Sequence, residues 1–104
     1  MNVGRKLAFA AIAVTLGALA TTAQARTSWK MHSAWGSSVP HLGTNAWRFA
    51  DNIGRMSGGE FTIKAFEPGA LIPANEGFDA TSKGSIEMAW TTAGYDTGKY
   101  PALS

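Results

Sequence analysis

Two short loops carry the residues that could do chemistry in this 104-residue chain. The first, residues 33–38, reads SAWGSS, and the second, residues 91–95, reads TTAGY. Each loop combines small hydroxyl side chains, a glycine and one large aromatic ring. Hydroxyl and backbone N–H groups bind carboxylate or carbonyl oxygens without a counter-charge, and aromatic rings form apolar walls. The two loops therefore predict one half of a cleft for a small ligand.

Motifs for other kinds of chemistry are missing from the sequence. Neither G-x-G-x-x-G nor G-x-x-x-x-G-K-S/T follows a predicted strand, which argues against a nucleotide-binding enzyme. No G-x-S-x-G surrounds a serine, which argues against a nucleophilic triad. His32 and His41 stand alone, without cysteines or metal-ligand spacing, so no metal site is predicted. Asp96 is the only carboxylate in sequence close to either loop, and we predict that the protein is not an enzyme.

Hydrophobic periodicity places both loops directly after strands. Apolar and polar residues alternate in three segments that we predict to be strands, residues 28–33, 60–66 and 86–90. Apolar residues three or four apart predict a helix over residues 41–57, which Gly58-Gly59 would end. A shorter helix before residue 84 would take Asn75 as its N-cap. The tryptophans and methionines on these elements are assigned to packing: Trp29, Trp47, Trp90, Met31, Met56 and Met88.

The resulting order, β-α-β-α-β, predicts an α/β fold with a parallel sheet, because parallel strands need crossover connections. Ligands in such open sheets bind beyond the carboxyl ends of the strands, where the strand order reverses. With a strand order of 2-1-3, the loops at residues 33–38 and 91–95 would be neighbours at that position.

The first 25 residues have the three parts of a secretory signal peptide. Arg5 and Lys6 precede an apolar run over residues 7–20, and small residues end at Ala25. Cleavage there would leave residues 26–104 with seven basic and seven acidic side chains, since the full chain has nine and seven. A neutral chain argues against a nucleic-acid partner. Export without cysteine indicates the periplasm of a bacterium.

The sequence from Trp29 onward resembles a known family. The run SGG-x-F-x-I-x-x-F-x-x-G-x-L-x-P, followed by FDA-x-x-x-G-x-I-E-M, is similar to the N-terminal region of TRAP (tripartite ATP-independent periplasmic) transporter solute-binding proteins. WKMHSAWGSS at the start and TTAGYDTGKYP at the end extend the resemblance to residues 29–104. The Gly-Tyr segment before GK-x-P is most similar to members that bind 2-oxoacids and related monocarboxylates.

The resemblance implies a type 2 periplasmic-binding fold, of which residues 26–104 would form the opening portion of the first lobe. It implies capture of a small organic acid, delivery to a TRAP membrane permease, and transport across the membrane. It also implies an arginine from the second lobe as partner of the ligand carboxylate, a role that neither Arg48 nor Arg55 matches. In the full-length protein a ligand-bridging cation and a homodimer would be compatible with the family, whereas no cofactor is predicted for this chain.

The family pattern assigns five residues of this chain to ligand binding: Ser33, Trp35, Thr91, Thr92 and Tyr95. Two other interpretations stay open from the sequence alone. The chain could be part of a secreted α/β enzyme, or a partial chain without a function of its own. The family is the interpretation that accounts for both loops.

Overall fold

The computed structural model describes residues 25–104, so the predicted signal peptide lies outside the described residues except for Ala25. Three strands form one parallel sheet in the order β2-β1-β3. Their bounds are Thr27–Ser33 for β1, Phe61–Phe66 for β2 and Met88–Trp90 for β3. The predicted α/β class and element order are confirmed, and the observed strand order is the one that makes the loops at residues 33–38 and 91–95 neighbours. Between residues 25 and 104, no helix has the length and apolar character needed to cross a membrane.

The first helix, α1, spans Thr44–Met56 and covers one face of the sheet. Met31 on β1 is fully buried against Ala46 and Ala50 of α1. The partly buried side chains around this core come from β2, β3 and α1: Trp47, Phe49, Ile63, Ala65, Met88 and Trp90. The packing predicted for Met31, Met88, Trp47 and Trp90 is therefore confirmed.

Two side chains assigned to packing lie at the margin of this core. Met56 is 83% exposed at the last position of α1, so its assignment was wrong. Trp29 is 38% exposed and packs its ring edge-on against Phe61, with the ring centroids 4.9 Å apart. Both residues lie where the covering helix ends.

Helix α1 begins three residues later than predicted because the chain first makes a compact turn. His41 adopts a positive φ of 63°, which a helix cannot accommodate. The carbonyl of Val39 accepts hydrogen bonds from the N–H groups of Gly43 and Thr44, each at 3.0 Å. The predicted end of the helix is confirmed, since Gly58 and Gly59 follow the C-cap with positive φ.

The second helix, α2, spans Gly77–Ser82 and packs against the other face of the sheet. The prediction of Asn75 as its N-cap was wrong: Glu76 is the N-cap, and no side chain caps the helix. The physical reason is close packing. A Cβ on Gly77 would lie 3.1 Å from Ala89 Cβ and 3.1 Å from His32 Cδ2, so this glycine lets α2 begin directly on the sheet.

Strand β3 is shorter than predicted. Residues 86 and 87 do not pair, and only Met88–Trp90 align with β1, from Met31 to Ser33. The carboxylate of Glu87 instead accepts the N–H of Lys30 at 2.8 Å, so a side chain satisfies a donor that a longer strand would have bound.

Candidate functional site

The β1 loop (residues 33–38) and the β3 loop (residues 91–95) meet at the carboxyl edge of the sheet, as predicted. The N–H of Ala34 donates to the carbonyl of Trp90 at 3.0 Å, which continues the pairing of β1 with β3 by one residue. Beyond that bond, the rings of Trp35 and Tyr95 face each other, with centroids 6.4 Å apart and an angle of 33° between planes. The strand order therefore brings together aromatic residues that are 60 positions apart.

Ser33 does not present its hydroxyl to solvent. The residue is fully buried, and its Oγ donates to the carbonyl of Trp35 at 2.7 Å and accepts the N–H of Trp35 at 3.3 Å. Both bonds lie within the β1 loop. Ligand binding by Ser33 stays a prediction; the observed role of its hydroxyl is to hold the backbone of Trp35 within the β1 loop.

Trp35 and Tyr95 are placed where a ligand can reach them. Trp35 is half-buried between the sheet edge and Tyr95, while Tyr95 is 44% exposed. Tyr95 ends a single turn of 3-10 helix that begins at Ala93. This turn projects the phenol ring back towards the β1 loop, so the two rings form one aromatic wall.

The two threonines of the β3 loop differ in their surroundings. Thr92 is exposed and caps the 3-10 turn, because its Oγ1 accepts the N–H of Gly94 at 3.3 Å. Thr91 is half-buried near the start of α2. A Cβ added at Gly77 would lie 3.7 Å from the Cβ of Thr91. Thr92 therefore has the more accessible hydroxyl.

None of the five predicted residues carries a charge. Arg55 lies on α1 and pairs with Asp51 at 3.7 Å. Lys99 forms a short hydrogen bond with Asp79 of α2, which lowers the pKa of Asp79 and raises the pKa of Lys99. The five predicted residues therefore contribute hydroxyl groups, backbone amides and aromatic rings, and no charged group, to this edge of the sheet.

Sequence reasoning missed Glu67, the first residue after β2. Its carboxylate accepts the N–H of Ser37, at 3.0 Å to Oε2 and 3.3 Å to Oε1. Glu67 and Ser37 are 30 positions apart. A signal was available, since a residue that directly follows a parallel strand lies at the same sheet edge as the other loops.

Sequence reasoning also missed the burial of His32. This side chain is fully buried between the sheet and the connection to α2, with Nε2 3.3 Å from the carbonyl oxygen of Ala74. Its Nδ1 has no hydrogen-bond partner among residues 25–104. Helix α2 covers this face of the sheet, since a Cβ on Gly77 would lie 3.1 Å from His32 Cδ2.

One groove lies away from both loops. It has a volume of about 300 Å³ and runs between the C-terminal half of α1 and the first residues of β2. None of the five predicted residues lines it: its walls are Ala50, Asp51, Gly54, Arg55, Gly59, Thr62 and Ile63. In the described part of the chain, no group of three or more His, Cys, Asp or Glu side chains could hold a metal ion.

Known proteins are similar to this chain in sequence and in fold. No protein-family model matches the chain. A monocarboxylate 2-oxoacid-binding periplasmic protein of Nostoc sp. is 35% identical over 107 residues, an alignment covering 91% of this chain and 29% of the relative. The chain therefore spans less than a third of that relative's length.

Solved structures of TRAP solute-binding proteins are similar to this chain in fold. A TRAP transporter solute-binding protein from Bordetella bronchiseptica, with copurified calcium and picolinate, has a TM-score of 0.68 and 29% identity over 75% of this chain and 23% of its own. A TRAP periplasmic solute-binding protein from Colwellia psychrerythraea, with bound calcium and pyruvate, has a TM-score of 0.67 and 25% identity over 75% of this chain and 24% of its own.

Proposed function

The chain is a homologue of the solute-binding proteins of TRAP transporters, and we propose that it forms part of the ligand-binding cleft of such a protein. The proposed ligand is a small organic acid, a 2-oxoacid or another monocarboxylate, for delivery to a membrane permease. Support comes from the Nostoc relative, which is a 2-oxoacid-binding protein, and from the Colwellia structure, which holds pyruvate. This chain's own ligand and partners are part of the proposal.

The observation that carries the proposal is the aromatic wall formed by Trp35 and Tyr95. The wall joins two loops at the carboxyl edge of a parallel sheet, where ligands of open α/β folds bind. A flat conjugated acid can pack its carbon skeleton on these rings. The hydroxyl of Thr92, together with backbone N–H groups of the β3 loop, can then donate to its oxygens.

The proposed mechanism is capture without chemistry. The ligand would enter an open cleft, a few loop dihedrals would close a second lobe over it, and the permease would recognise the closed form. The neutral character of the aromatic wall and the β3 loop agrees with a carboxylate-pairing arginine outside residues 25–104. The signal peptide proposed for residues 1–25 and the periplasmic relatives support a periplasmic location.

A cation is the least supported part of the proposal. The Bordetella and Colwellia structures contain calcium, and the Bordetella protein is a dimer. Within residues 25–104 the acidic and histidine side chains do not gather into a metal-binding group, so these residues do not fit a cation site by themselves. No step of the proposed mechanism depends on one, and dimerisation of this protein stays a prediction.

Catalysis is not favoured by any contact in the described residues. Asp96 is the carboxylate next to the β3 loop, but it is only 3% exposed. Its backbone carbonyl caps the following turn by accepting the N–H groups of Lys99 and Tyr100. The homologues compared with this chain are named as binding proteins, and we propose the same role here.

The test is calorimetric titration of the complete protein, as expressed from its gene, with pyruvate, longer 2-oxoacids, lactate and a neutral sugar. We expect saturable binding of at least one 2-oxoacid and none of the sugar. Tyr95→Ala should weaken that binding about tenfold, because it removes half of the aromatic wall. Absence of heat with every acid would refute the proposal.

Tyr100 provides a matched control. It is 46% exposed and packs on Phe78 at a centroid distance of 5.5 Å, so it resembles Tyr95 in exposure and in having an aromatic neighbour. It lies against α2 rather than the β1 loop. Tyr100→Ala should therefore leave the affinity within about twofold of the wild type, as surface changes outside a site usually do.

A further inference from the structure

We infer that Glu67 is a positioning residue for the ligand cleft: its carboxylate fixes the β1 loop so that Trp35 stays against Tyr95. This inference rests on the proposed function, since it concerns the affinity of the same cleft. Glu67 was not among the predicted site residues, and it contributes through the loop that it holds rather than by touching the ligand.

The contact between Glu67 and the β1 loop is specific. Both carboxylate oxygens lie within hydrogen-bond distance of the N–H of Ser37, at 3.0 and 3.3 Å. Gly36 lies equally close, because a Cβ there would be 3.3 Å from Oε2. Glycine at 36 thus lets the backbone approach closely enough for the Ser37 N–H to donate to the carboxylate oxygens.

The β1 loop transmits this anchor to Trp35. Trp35 precedes Gly36 directly, and its own backbone is tied to Ser33 Oγ on the other side. Gly36 also accepts the N–H of Val39 at 3.0 Å, so the loop behaves as one hydrogen-bonded unit. If Glu67 is removed, the glycine becomes a pivot next to Trp35, and the indole loses the restraint that comes from β2.

A direct role of Glu67 in binding the acid is disfavoured by charge. A carboxylate repels a bound monocarboxylate, and its oxygens already accept the Ser37 N–H. An anchor that orders a binding loop raises affinity by reducing the entropy lost when the ligand binds. The effect of Glu67 should therefore require an acceptor oxygen but not its negative charge.

The first test compares Glu67→Ala, Glu67→Gln and Glu87→Ala in the complete protein, with the 2-oxoacid affinity and the thermal midpoint measured for each. Glu87 is the matched control, because its exposed carboxylate also accepts a β1 N–H, from Lys30 at 2.8 Å, but far from the carboxyl edge. Glu67→Ala should weaken affinity about three- to tenfold, whereas Glu87→Ala should leave it within about twofold. Both variants should lower the midpoint to a similar small extent.

Glu67→Gln keeps an acceptor oxygen and removes the charge, so its affinity should equal or exceed that of the wild type. Equal losses in Glu67→Gln and Glu67→Ala would overturn the inference. The inference also predicts that Glu67→Ala has almost no further effect on affinity in a Trp35→Ala background, because its action passes through that ring. Additive losses would place Glu67 in another role and would likewise overturn it.

Hydrogen exchange separates this inference from the proposed function. Without any ligand, the Ser37 amide should exchange faster in Glu67→Ala than in the wild type and in Glu87→Ala. If no acid binds but this amide is deprotected, the anchor exists and the proposed function fails. If an acid binds and Glu67→Ala changes neither affinity nor Ser37 exchange, the anchor fails while the function stands.

Discussion

The β1 loop and the β3 loop have similar compositions but opposite internal organisation. In the β1 loop, the hydroxyl of Ser33 is buried and bonded to Trp35, and Ser37 is bonded to Glu67. In the β3 loop, Thr92 is exposed and Tyr95 is 44% exposed. The first loop therefore uses its polar groups to fix its own shape, and the second leaves more of its surface to a ligand.

This difference divides the predicted site residues into those that hold a loop in shape and those that are proposed to contact the ligand. A hydroxyl that already has a donor and an acceptor partner cannot add a strong bond to a ligand without losing one. Ser33 consequently helps to hold the β1 loop in shape, whereas Thr92 and Tyr95 are the proposed ligand contacts. Trp35 has both roles, because its backbone is bonded to Ser33 and its ring faces Tyr95. Substitution of Ser33 should mainly change stability, and substitutions of Thr92 and Tyr95 should mainly change affinity.

The largest effect is expected from Gly43→Ala, at the end of the connection between β1 and α1. A Cβ at residue 43 would lie 1.7 Å from the carbonyl oxygen of Gly36, which is backbone and cannot rotate away. Relieving that overlap requires the β1 loop to move, at a cost of about 3 kcal/mol in the free energy of unfolding. Urea unfolding followed by tryptophan fluorescence measures the loss.

Gly54 of α1 supplies the control for that substitution. A Cβ at residue 54 would have no heavy atom within 4 Å, so alanine fits there. Because alanine favours the helix over glycine, Gly54→Ala should stabilise the protein by about 1 kcal/mol. If the Gly43→Ala variant were as stable as the Gly54→Ala variant, the β1 loop would not be tightly packed against residue 43.

Ser33 and Thr92 test the comparison between the loops directly. Ser33→Ala should cost about 1–3 kcal/mol, because it leaves buried backbone groups of Trp35 without their partner. Thr92→Ala removes only an exposed cap and should cost about 0.5–1 kcal/mol. Urea unfolding checks this order, and a larger loss of stability for Thr92→Ala would reverse the proposed roles.

Affinity should follow the opposite order. Thr92→Ala deletes a proposed ligand donor and should weaken 2-oxoacid binding about fivefold in calorimetry, since one hydrogen bond contributes about 1 kcal/mol. Thr92→Ser keeps the oxygen that accepts from Gly94 and should recover most of that loss. A variant series in which Thr92→Ser binds as weakly as Thr92→Ala would argue against a donor role.

The sequence predicted the secondary-structure elements and the positions of the two loops well, but it did not predict the hydrogen bonds of individual side chains. Alternation and helical spacing determined the faces of the elements, and the 2-1-3 order then required residues 33–38 and 91–95 to be neighbours. The destination of a single side chain depends on long-range packing instead. Glu67, for example, reaches Ser37 across 30 positions of the chain, a contact that periodicity does not encode.

The same limit explains the errors at the ends of elements. Asn75 had a suitable side chain for a cap, yet the close contact of Gly77 with His32 and Ala89 determines where α2 begins. His41 appeared to start α1, but its positive φ belongs to the turn before the helix. Tertiary packing therefore prevailed over local propensity at the start of α2, whereas a local turn delays the start of α1.

The smallest expected effect concerns the segment that follows the β3 loop, which the pair Lys99–Asp79 attaches to α2. The hydrogen bond from Lys99 lowers the pKa of Asp79 below its usual value of 3.8. A lowered carboxyl pKa gives stability that is present above the unfolded-state value and is lost as the pH falls through the folded-state value. Both side chains are accessible to solvent, so salt should weaken the effect.

Asp79→Asn should therefore lower the thermal midpoint slightly at pH 7, and this difference from the wild type should shrink as the pH falls below the lowered pKa of Asp79, where the wild-type carboxyl is protonated as well. Asp51→Asn is the control, because Asp51 pairs with Arg55 at 3.7 Å on the exposed side of α1. It should lower the midpoint less at pH 7. Tyr95 directly precedes this tethered segment, so Asp79→Asn should also weaken 2-oxoacid binding modestly at pH 7. Unchanged affinity would mean that the β3 loop holds its ligand-binding shape through the Thr92 cap alone, which would make the two loops more alike than their exposure suggests.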